Sequence, residues 1–239
     1  MKSLLAVLLT ITLLGACRCN ITGKRVVGNG NLESETRVVN RATKIKVLGH
    51  VEVILDSGAT SVRVEADENL LKYILTEVDD NWLEIRMKNN INYTTSNPMR
   101  VYVTTPTITH IKMAGSGKVV SERKFWSKES INFDIAGSGD IDIDVNTPKV
   151  DADIAGSGNL AISGETRNVD VSIAGSGNYN GLELKAENAN IKIAGSGDAL
   201  VFADVKMNAK IMGSGNVKYR GNATIDKKIL GSGSIKLVE

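Results

Sequence analysis

Residues 131–145 read INFDIAGSGDIDIDV, and this stretch decides the fold. Apolar and polar residues alternate on both sides of a Gly-Ser-Gly triplet. Successive side chains of a strand point to opposite faces, so this alternation indicates strands with one buried face. The stretch therefore predicts two half-buried strands joined by a tight turn. The inward positions are Ile131, Phe133, Ile135, Ile141 and Ile143.

The Gly-Ser-Gly triplet recurs at an almost constant spacing. It occurs seven times, at intervals of 22, 19, 19, 20, 18 and 18 residues. Two strands and two turns within such an interval make one coil of a β-solenoid, in which each repeat contacts only its neighbours. The sequence therefore predicts an all-β fold, a parallel two-sheet β-helix of about seven coils. The triplets begin at Gly115, Gly137, Gly156, Gly175, Gly195, Gly213 and Gly231.

Each coil is expected to have two turns. The triplet forms one of them, because glycine adopts positive φ without strain. A variable polar stretch, such as residues 146–149 or 164–168, forms the other. Alanine precedes five triplets, where we expect a small residue to fit between converging sheets. Asn or Asp follows five triplets, as suits a side chain that bonds to the turn backbone.

The repeated turns contain few residues that could act in catalysis or bind a metal ion. A nucleophilic serine needs a base, and no histidine repeats beside the triplets. A Ca²⁺ ladder of the glycine- and aspartate-rich kind is an alternative, although only two of the residues after the triplets are Asp. Two His and two Cys in 239 residues leave almost nothing for a zinc or copper site. We therefore expect no metal, no cofactor and no catalytic residues.

Composition narrows the class of protein further. The chain is 42% hydrophobic and 23% charged, with a formal net charge of +2. This balance excludes an intrinsically disordered chain, which combines low hydrophobicity with high net charge. It also argues against a nucleic-acid partner, which would require a concentrated basic surface.

The N-terminal residues predict a targeting signal. Residues 1–16 read MKSLLAVLLTITLLGA and predict a secretory signal peptide. The sequence Leu14-Gly15-Ala16-Cys17 resembles a bacterial lipobox, and this resemblance implies that Cys17 is acylated and attaches the chain to the membrane. An ordinary signal peptide that happens to contain a cysteine is the alternative. Residues 17–36 would then be a lipidated tether, in which Cys19 has no assigned role.

The repeat fades between residues 26 and 110. Strands are predicted over residues 44–47, 51–55, 61–65 and 100–104, with a helical turn at 66–71. Residues 74–78 and 82–87 predict a hairpin across Asp79-Asp80-Asn81. Residues 28–31, Gly-Asn-Gly-Asn, look like a degenerate triplet at which the solenoid could start. This half is interpreted as the irregular cap that a solenoid needs.

The seven triplets behind a lipobox, with the segment ADENLL at 66–71 and the hairpin ending in WLEI at 82–85, resemble the head GIN domain family. The resemblance covers residues 35–239. It implies a right-handed two-sheet β-helix, no catalytic residues, and adhesion as a function proposed from shape. The expected domain is residues 37–239, with the cap and first coils at 37–110 and the regular repeats at 111–239.

Two groups of residues are candidate contact points. Phe125 and Trp126 lie in the one long segment between turns, where they form either an exposed aromatic pair or a local plug. The second group follows from the position three residues before each triplet, which predicts an outward charged column. Its members are Lys112, Asp134, Asp153, Ser172, Lys192, Lys210 and Lys228.

The charges of this column are polarised along the solenoid. The whole segments that contain it follow the same trend, because the net charge of all residues is −6 over 131–170 and +4 over 185–239. We expect Lys192, Lys210 and Lys228 to capture an anionic envelope polymer or to contact another copy of the chain. The alternative is that these side chains are simply solvated and that the change in charge along the solenoid has no function.

The predicted function is that of a non-catalytic cell-envelope lipoprotein, held to the outer membrane by its lipid, that binds or adheres to envelope or host glycans or to itself. Which face of the outer membrane it occupies is left open. One alternative is a purely structural envelope protein. The other is a lyase-like carbohydrate-active enzyme, which would require paired acids. The candidate acids are Asp140, Asp142, Asp144, Asp151 and Asp153.

Overall fold

Successive coils stack in register, so that each Gly-Ser-Gly triplet lies directly on the one before it. In the computed structural model, which describes residues 24–238, parallel pairing joins Gly137 to Gly156 and Gly156 to Gly175. The fold is all-β, with 69% strand and 2% helix, and the predicted β-solenoid of about seven coils is confirmed. The predicted signal peptide, Cys17 and Cys19 lie outside the described residues.

The N-terminal part contains short strands and a single helical turn. The strands are β1 (Lys24–Val27), β2 (Leu32–Arg37), β3 (Lys44–Gly49), β4 (Glu52–Ser57), β5 (Ser61–Asp67), β6 (Ile74–Asp79), β7 (Trp82–Met87), β8 (Ile91–Thr94) and β9 (Arg100–Thr105). Helix α1 (Glu68–Leu71) follows β5.

The repetitive part begins at His110. Its strands are β10 (His110–Gly115), β11 (Lys118–Ser121), β12 (Phe125–Trp126), β13 (Ile131–Gly137), β14 (Asp140–Gly156), β15 (Asn159–Gly175), β16 (Asn178–Gly181), β17 (Leu184–Gly195), β18 (Ala199–Phe202), β19 (Lys206–Gly213), β20 (Asn216–Arg220), β21 (Thr224–Gly231) and β22 (Ser234–Leu237).

The residues before and after each triplet lie in different sheets. The first sheet runs in the order β7, β3, β10, β13, the second halves of β14 and β15, then β17, β19 and β21. The second sheet runs in the order β9, β4, β11, the first halves of β14 and β15, then β16, β18, β20 and β22. Their inward side chains build one continuous core.

The core consists of columns of stacked apolar side chains. One column has an isoleucine in five successive coils, all almost completely buried. Burying such a side chain stabilises a fold by roughly 1.5–3 kcal/mol, so an in-register column contributes once per coil. The five residues are Ile135, Ile154, Ile173, Ile193 and Ile211.

The second turn differs from the sequence prediction. Strands β14 and β15 are 17 residues long and run through the stretches predicted as polar turns. Asn146 pairs with Glu165, and Thr147 with Thr166, because stacked coils continue their backbone pairing around the bend. The buried Thr147 and Thr166 each donate a hydrogen bond to a nearby backbone carbonyl, which satisfies the hydroxyl inside the core.

The cap is built from antiparallel pairs that end the parallel stack. The predicted hairpin is present as β6 and β7, with Asp79 opposite Trp82. Asp80 and Asn81 have φ of 43° and 65°, as a two-residue turn of this kind requires. On the second sheet, β5 pairs antiparallel with both β9 and β2. The cap thus leaves no long parallel edge open at this end of the described chain.

Two boundaries predicted from the sequence require correction. Strand β1 and all but the last residue of β2 lie within the range 17–36 assigned to the tether, so folded structure starts before residue 37. Residues 28–31 are not a solenoid turn, because β1 pairs with β8 in a separate two-stranded sheet. The first turn is instead Gly49-His50-Val51, since Gly115 pairs with Gly49. It lacks the serine and the second glycine by which the triplets were recognised.

The last coil ends the stack in the opposite way. Lys227 pairs with Ala209 in an otherwise inward column, yet Lys227 is exposed because none of the described residues stacks on it from the other side. Ile229 and Leu237 are exposed for the same reason, whereas Leu230 is exposed because its position faces outward. The end of the solenoid therefore combines apolar and basic side chains.

Candidate functional site

The predicted outward column is present on the first sheet. Strand pairing places Lys112, Asp134, Asp153, Ser172, Lys192, Lys210 and Lys228 side by side in that order. The column extends beyond Lys112 to Lys46 and then to Glu84 in the cap. Neighbouring strands are about 4.8 Å apart, so the column is a ladder of charged groups at nearly fixed spacing. We call it the charge column.

The basic end of the charge column is unneutralised. Lys192, Lys210 and Lys228 are exposed, and none of them forms an ion pair with a residue between 24 and 238. Nearer the cap, by contrast, a lysine of the column is neutralised, because Lys46 Nζ lies 2.7 Å from Glu84 Oε2. Three adjacent ammonium groups repel one another, and an anionic ligand would relieve this repulsion.

A second outward column runs beside the first, one position before each triplet. The alanines at this position were expected where the two sheets converge, and that interpretation is wrong, because their side chains point outward. At the basic end the alanines give way to Met212 and Leu230, which are 46% and 53% exposed. The basic end therefore presents apolar side chains next to the ammonium groups.

The aromatic pair of the long segment is divided between core and surface. Phe125 is completely buried and pairs with Val145, so its prediction as a contact residue is wrong. Trp126 is 66% exposed and remains available at the surface. The strand alternation that separates them holds for β12 even though it contains only two residues.

The residues after the triplets form a hydrogen-bonded ladder. Asn159 donates to Asp140 at 2.7 Å, Asn178 donates to Asn159 at 2.9 Å, and Asn216 donates to Asp198 at 3.0 Å. These carboxylate and amide oxygens bind neighbouring coils to each other. Among residues 24–238 no group of three or more His, Cys, Asp and Glu is placed to hold a metal ion.

The candidate acids of the enzyme alternative are divided between the two sheets. Asp140, Asp142 and Asp144 lie on the second sheet, whereas Asp151 and Asp153 lie on the first. Lys149 Nζ bridges Asp151 and Asp170 at 2.6 and 3.0 Å, and these hydrogen bonds raise the pKa of Lys149. Such an arrangement neutralises two carboxylates and does not create an acid–base pair.

A buried carboxylate holds the cap together. Asp67 accepts hydrogen bonds from Gly30 N at 3.1 Å, Ser96 N at 2.8 Å and Asn97 Nδ2 at 2.7 Å. Burial by itself raises the pKa of Asp67, but these hydrogen bonds outweigh it and lower the pKa below its usual value. This group fastens the N-terminal segment to the loop before β9 and therefore has a structural role.

Sequence reasoning missed a cluster around Trp82 in the cap. The Trp82 and His110 rings are 4.7 Å apart at a tilt of 55°, and Lys44 Nζ lies 5.6 Å from the indole centroid. The three residues come from neighbouring strands of the first sheet. Aligning β7 and β3 with the repeats by their apolar alternation would have predicted this proximity.

The only helix in the described range is α1, and it is too short to cross a membrane.

Residues 42–223 match the family described as "Putative auto-transporter adhesin, head GIN domain". The chain belongs to this head GIN domain family. The family indicates a cell-envelope or surface protein, and it is named for adhesion and not for an enzyme activity. Among curated proteins none matches this head GIN domain chain.

Solved structures share the head GIN fold seen here. A "putative adhesin" from Bacteroides fragilis aligns with a TM-score of 0.82 at 21% identity, covering 89% of this chain and 100% of that one. A "putative lipid binding protein" from Parabacteroides distasonis aligns with a TM-score of 0.78 at 25% identity, covering 90% and 100%. A "putative adhesin" from the same organism has a TM-score of 0.72 at 24% identity, with coverage of 90% and 100%.

Proposed function

We propose that the chain is a non-catalytic lipoprotein of the cell envelope, anchored in the outer membrane through Cys17, whose solenoid is a binding module for adhesion. The observation that carries this proposal is the unneutralised end of the charge column, where Lys192, Lys210 and Lys228 lie side by side. Family membership supports the envelope location, and the lipobox-like sequence supports the anchor.

The ligand chemistry follows from the spacing of the lysines. Ammonium groups repeated about every 4.8 Å suit a molecule with several sulfate, phosphate or carboxylate groups. Met212 and Leu230 add apolar contact area beside them. Acidic glycans and anionic lipid headgroups both carry such groups, and the Parabacteroides relative named for lipid binding makes lipid a source worth testing.

The position of the anchor favours contact away from the membrane. Cys17 precedes β1, which pairs within the cap, while the lysines occupy the last coils. An anchored molecule would therefore hold its basic end outward, where a polymer or another cell surface can reach it.

Fractionation of cells tests the anchor. Replacing Cys17 with Ala should move the protein from the membrane to the soluble fraction, because acyl chains contribute roughly 0.8 kcal/mol per buried methylene. Membrane association that persists in the Cys17→Ala variant would contradict the proposed anchor. Protease treatment of intact cells expressing the wild-type protein then tells which face of the outer membrane it occupies.

A matched pair of charge reversals tests the binding surface. The first variant changes Lys192, Lys210 and Lys228 to Glu, and the control changes the exposed Lys72, Lys88 and Lys128 to Glu with the same change in net charge.

Binding of each variant is measured to heparin and to phosphatidylglycerol vesicles at low and high salt. Only the first variant should lose binding, and salt should weaken binding by the wild type. Equal losses in the two variants would reduce the effect to net charge and contradict the proposal. Sedimentation of the same proteins shows whether the basic end contacts another copy instead.

A further inference from the structure

A cleft of about 410 Å³ opens on the outer face of the first sheet, at its cap end. This volume lies at the lower end of the range for small-molecule sites, roughly 300–1,000 Å³. It suits one or two sugar rings better than a folded partner. The lining residues are Lys46, Asp79, Asp80, Trp82, Glu84 and Lys112.

The indole of Trp82 is held in place before any ligand arrives. The ring is half-buried, and its centroid lies 4.7 Å from that of the His110 ring. Lys44 Nζ lies 5.6 Å from the indole centroid. These contacts restrict its rotamers while the ring still lines the cleft. A fixed aromatic ring provides contact area at low entropic cost on binding.

The polar groups of the cleft fall into two sets. Glu84 is engaged, with Lys46 Nζ at 2.7 Å and Arg86 Nε at 2.7 Å. The side chains of Asp79, Asp80 and Lys112 form no ion pair or hydrogen bond with the described residues. Two carboxylates that accept hydrogen bonds and one ammonium that donates them are therefore free beside the indole.

These groups exclude several classes of ligand. A phosphate or other anion would meet the free carboxylates of Asp79 and Asp80, and a quaternary ammonium would meet the free ammonium of Lys112. A lipid tail needs apolar walls, whereas Trp82 is the one large apolar residue that lines this cleft. An uncharged sugar has hydroxyl groups that both donate and accept, and a C–H face that packs on an aromatic ring.

We infer that this cleft binds a sugar unit of a neutral glycan. The sugar ring packs on Trp82, its hydroxyls donate to Asp79 and Asp80, and Lys112 donates to a ring or hydroxyl oxygen. The cleft lies at the opposite end of the charge column from Lys192, Lys210 and Lys228, so this inference does not depend on the proposed anionic ligand.

Tryptophan fluorescence reports on this site directly. The chain has two tryptophans, so the Trp126→Phe variant leaves Trp82 as the single reporter. This variant is titrated with cellohexaose, mannotriose and chitotetraose, each a neutral oligosaccharide. At least one of them should change the emission of Trp82 saturably, whereas heparin should not. The absence of a saturable response to all three oligosaccharides would overturn the inference.

Calorimetry with the responding oligosaccharide then identifies the contacts. Trp82→Ala should weaken binding at least about tenfold, Trp82→Phe should retain most of it, and Asp79→Asn should weaken it several-fold. Urea unfolding of each variant separates loss of binding from loss of fold. The triple reversal of Lys192, Lys210 and Lys228 should bind the sugar normally, which keeps this test distinct from that of the charge column. Binding by a folded Trp82→Ala variant that equals the wild type would contradict the site.

Discussion

The carbonyl oxygen of Gly137 lies in the space that a Cβ atom on Gly156 would occupy, one coil further along the chain. The same carbonyl accepts a hydrogen bond from Ser157 N at 2.8 Å. Gly156 also has φ of +124°, a conformation that residues with a side chain rarely adopt. Two independent constraints therefore require glycine at this position, and they explain why the triplet repeats with the coils.

Replacing Gly156 with Val should destabilise the fold strongly. The positive φ and the clash with the Gly137 carbonyl should together cost about 3–5 kcal/mol, measured by urea unfolding. Gly49→Val is the matched control, because Gly49 has φ of +92° but open space where its Cβ would lie. The control should be destabilised less. If Gly156→Val unfolded at the same urea concentration as the wild type, the turn assignment would be wrong.

Phe125 and Trp126 should respond in opposite ways to truncation. Phe125→Ala removes a completely buried ring and should cost about 3–5 kcal/mol of unfolding free energy. Trp126→Ala removes an exposed ring and should change it by no more than about 0.5 kcal/mol. Thermal unfolding of the two variants checks this, and a large effect of Trp126→Ala would contradict the placement of β12.

Positions that repeat in every coil could be predicted from the sequence more reliably than positions that do not repeat. The charge column could be predicted from Lys112 to Lys228 because the triplets fix the register of every coil. Phe125 was misplaced because its segment belongs to the one interval of 22 residues, where counting from a triplet no longer gives the face. The alanine before five of the triplets was misinterpreted because a small residue fits a crowded position and an exposed one equally well.

The cap was predicted in most of its elements, β1, β2 and β8 excepted, but not in its assembly. Alternation gave the hairpin of residues 74–87, and the turn predicted at residues 79–81 contains the two residues that form it, Asp80 and Asn81. The role of Asp67 depends on contacts with Gly30 and Ser96, which are 37 and 29 residues away in sequence. The cleft at Trp82 likewise requires knowing that β7 stacks on β3, and no triplet marks that coil.

Asp67 should make the stability of the cap depend on acid. Its pKa is lowered in the folded state, so the charged carboxylate stabilises the fold above its unfolded pKa, about 3.9, and this contribution is lost as pH falls through the folded value. Asp67→Asn should be less stable than the wild type at neutral pH, and the difference should shrink towards pH 2. Asp142→Asn, at an exposed site, is the control. A difference that stayed constant with pH would contradict this role.

Replacing Lys210 with Glu should stabilise the fold at low salt. It lies between Lys192 and Lys228 in neighbouring strands, so Lys210→Glu replaces two repulsions with two attractions. We expect a gain of a few tenths of a kcal/mol in unfolding free energy at low ionic strength, which disappears in molar salt. Lys88→Glu, outside the column, should show no such gain. Equal responses of the two variants would mean that the column does not couple its charges.

A lysine footprint tests directly whether the basic end of the charge column binds an anionic polymer. The mature domain is treated with an acetylating reagent, alone and with heparin, and the modified lysines are quantified by mass spectrometry. Heparin should protect Lys192, Lys210 and Lys228 and leave Lys72, Lys88 and Lys128 as reactive as before. Equal protection of both sets, or protection of the second set alone, would contradict the claim that the end of the charge column is the binding surface.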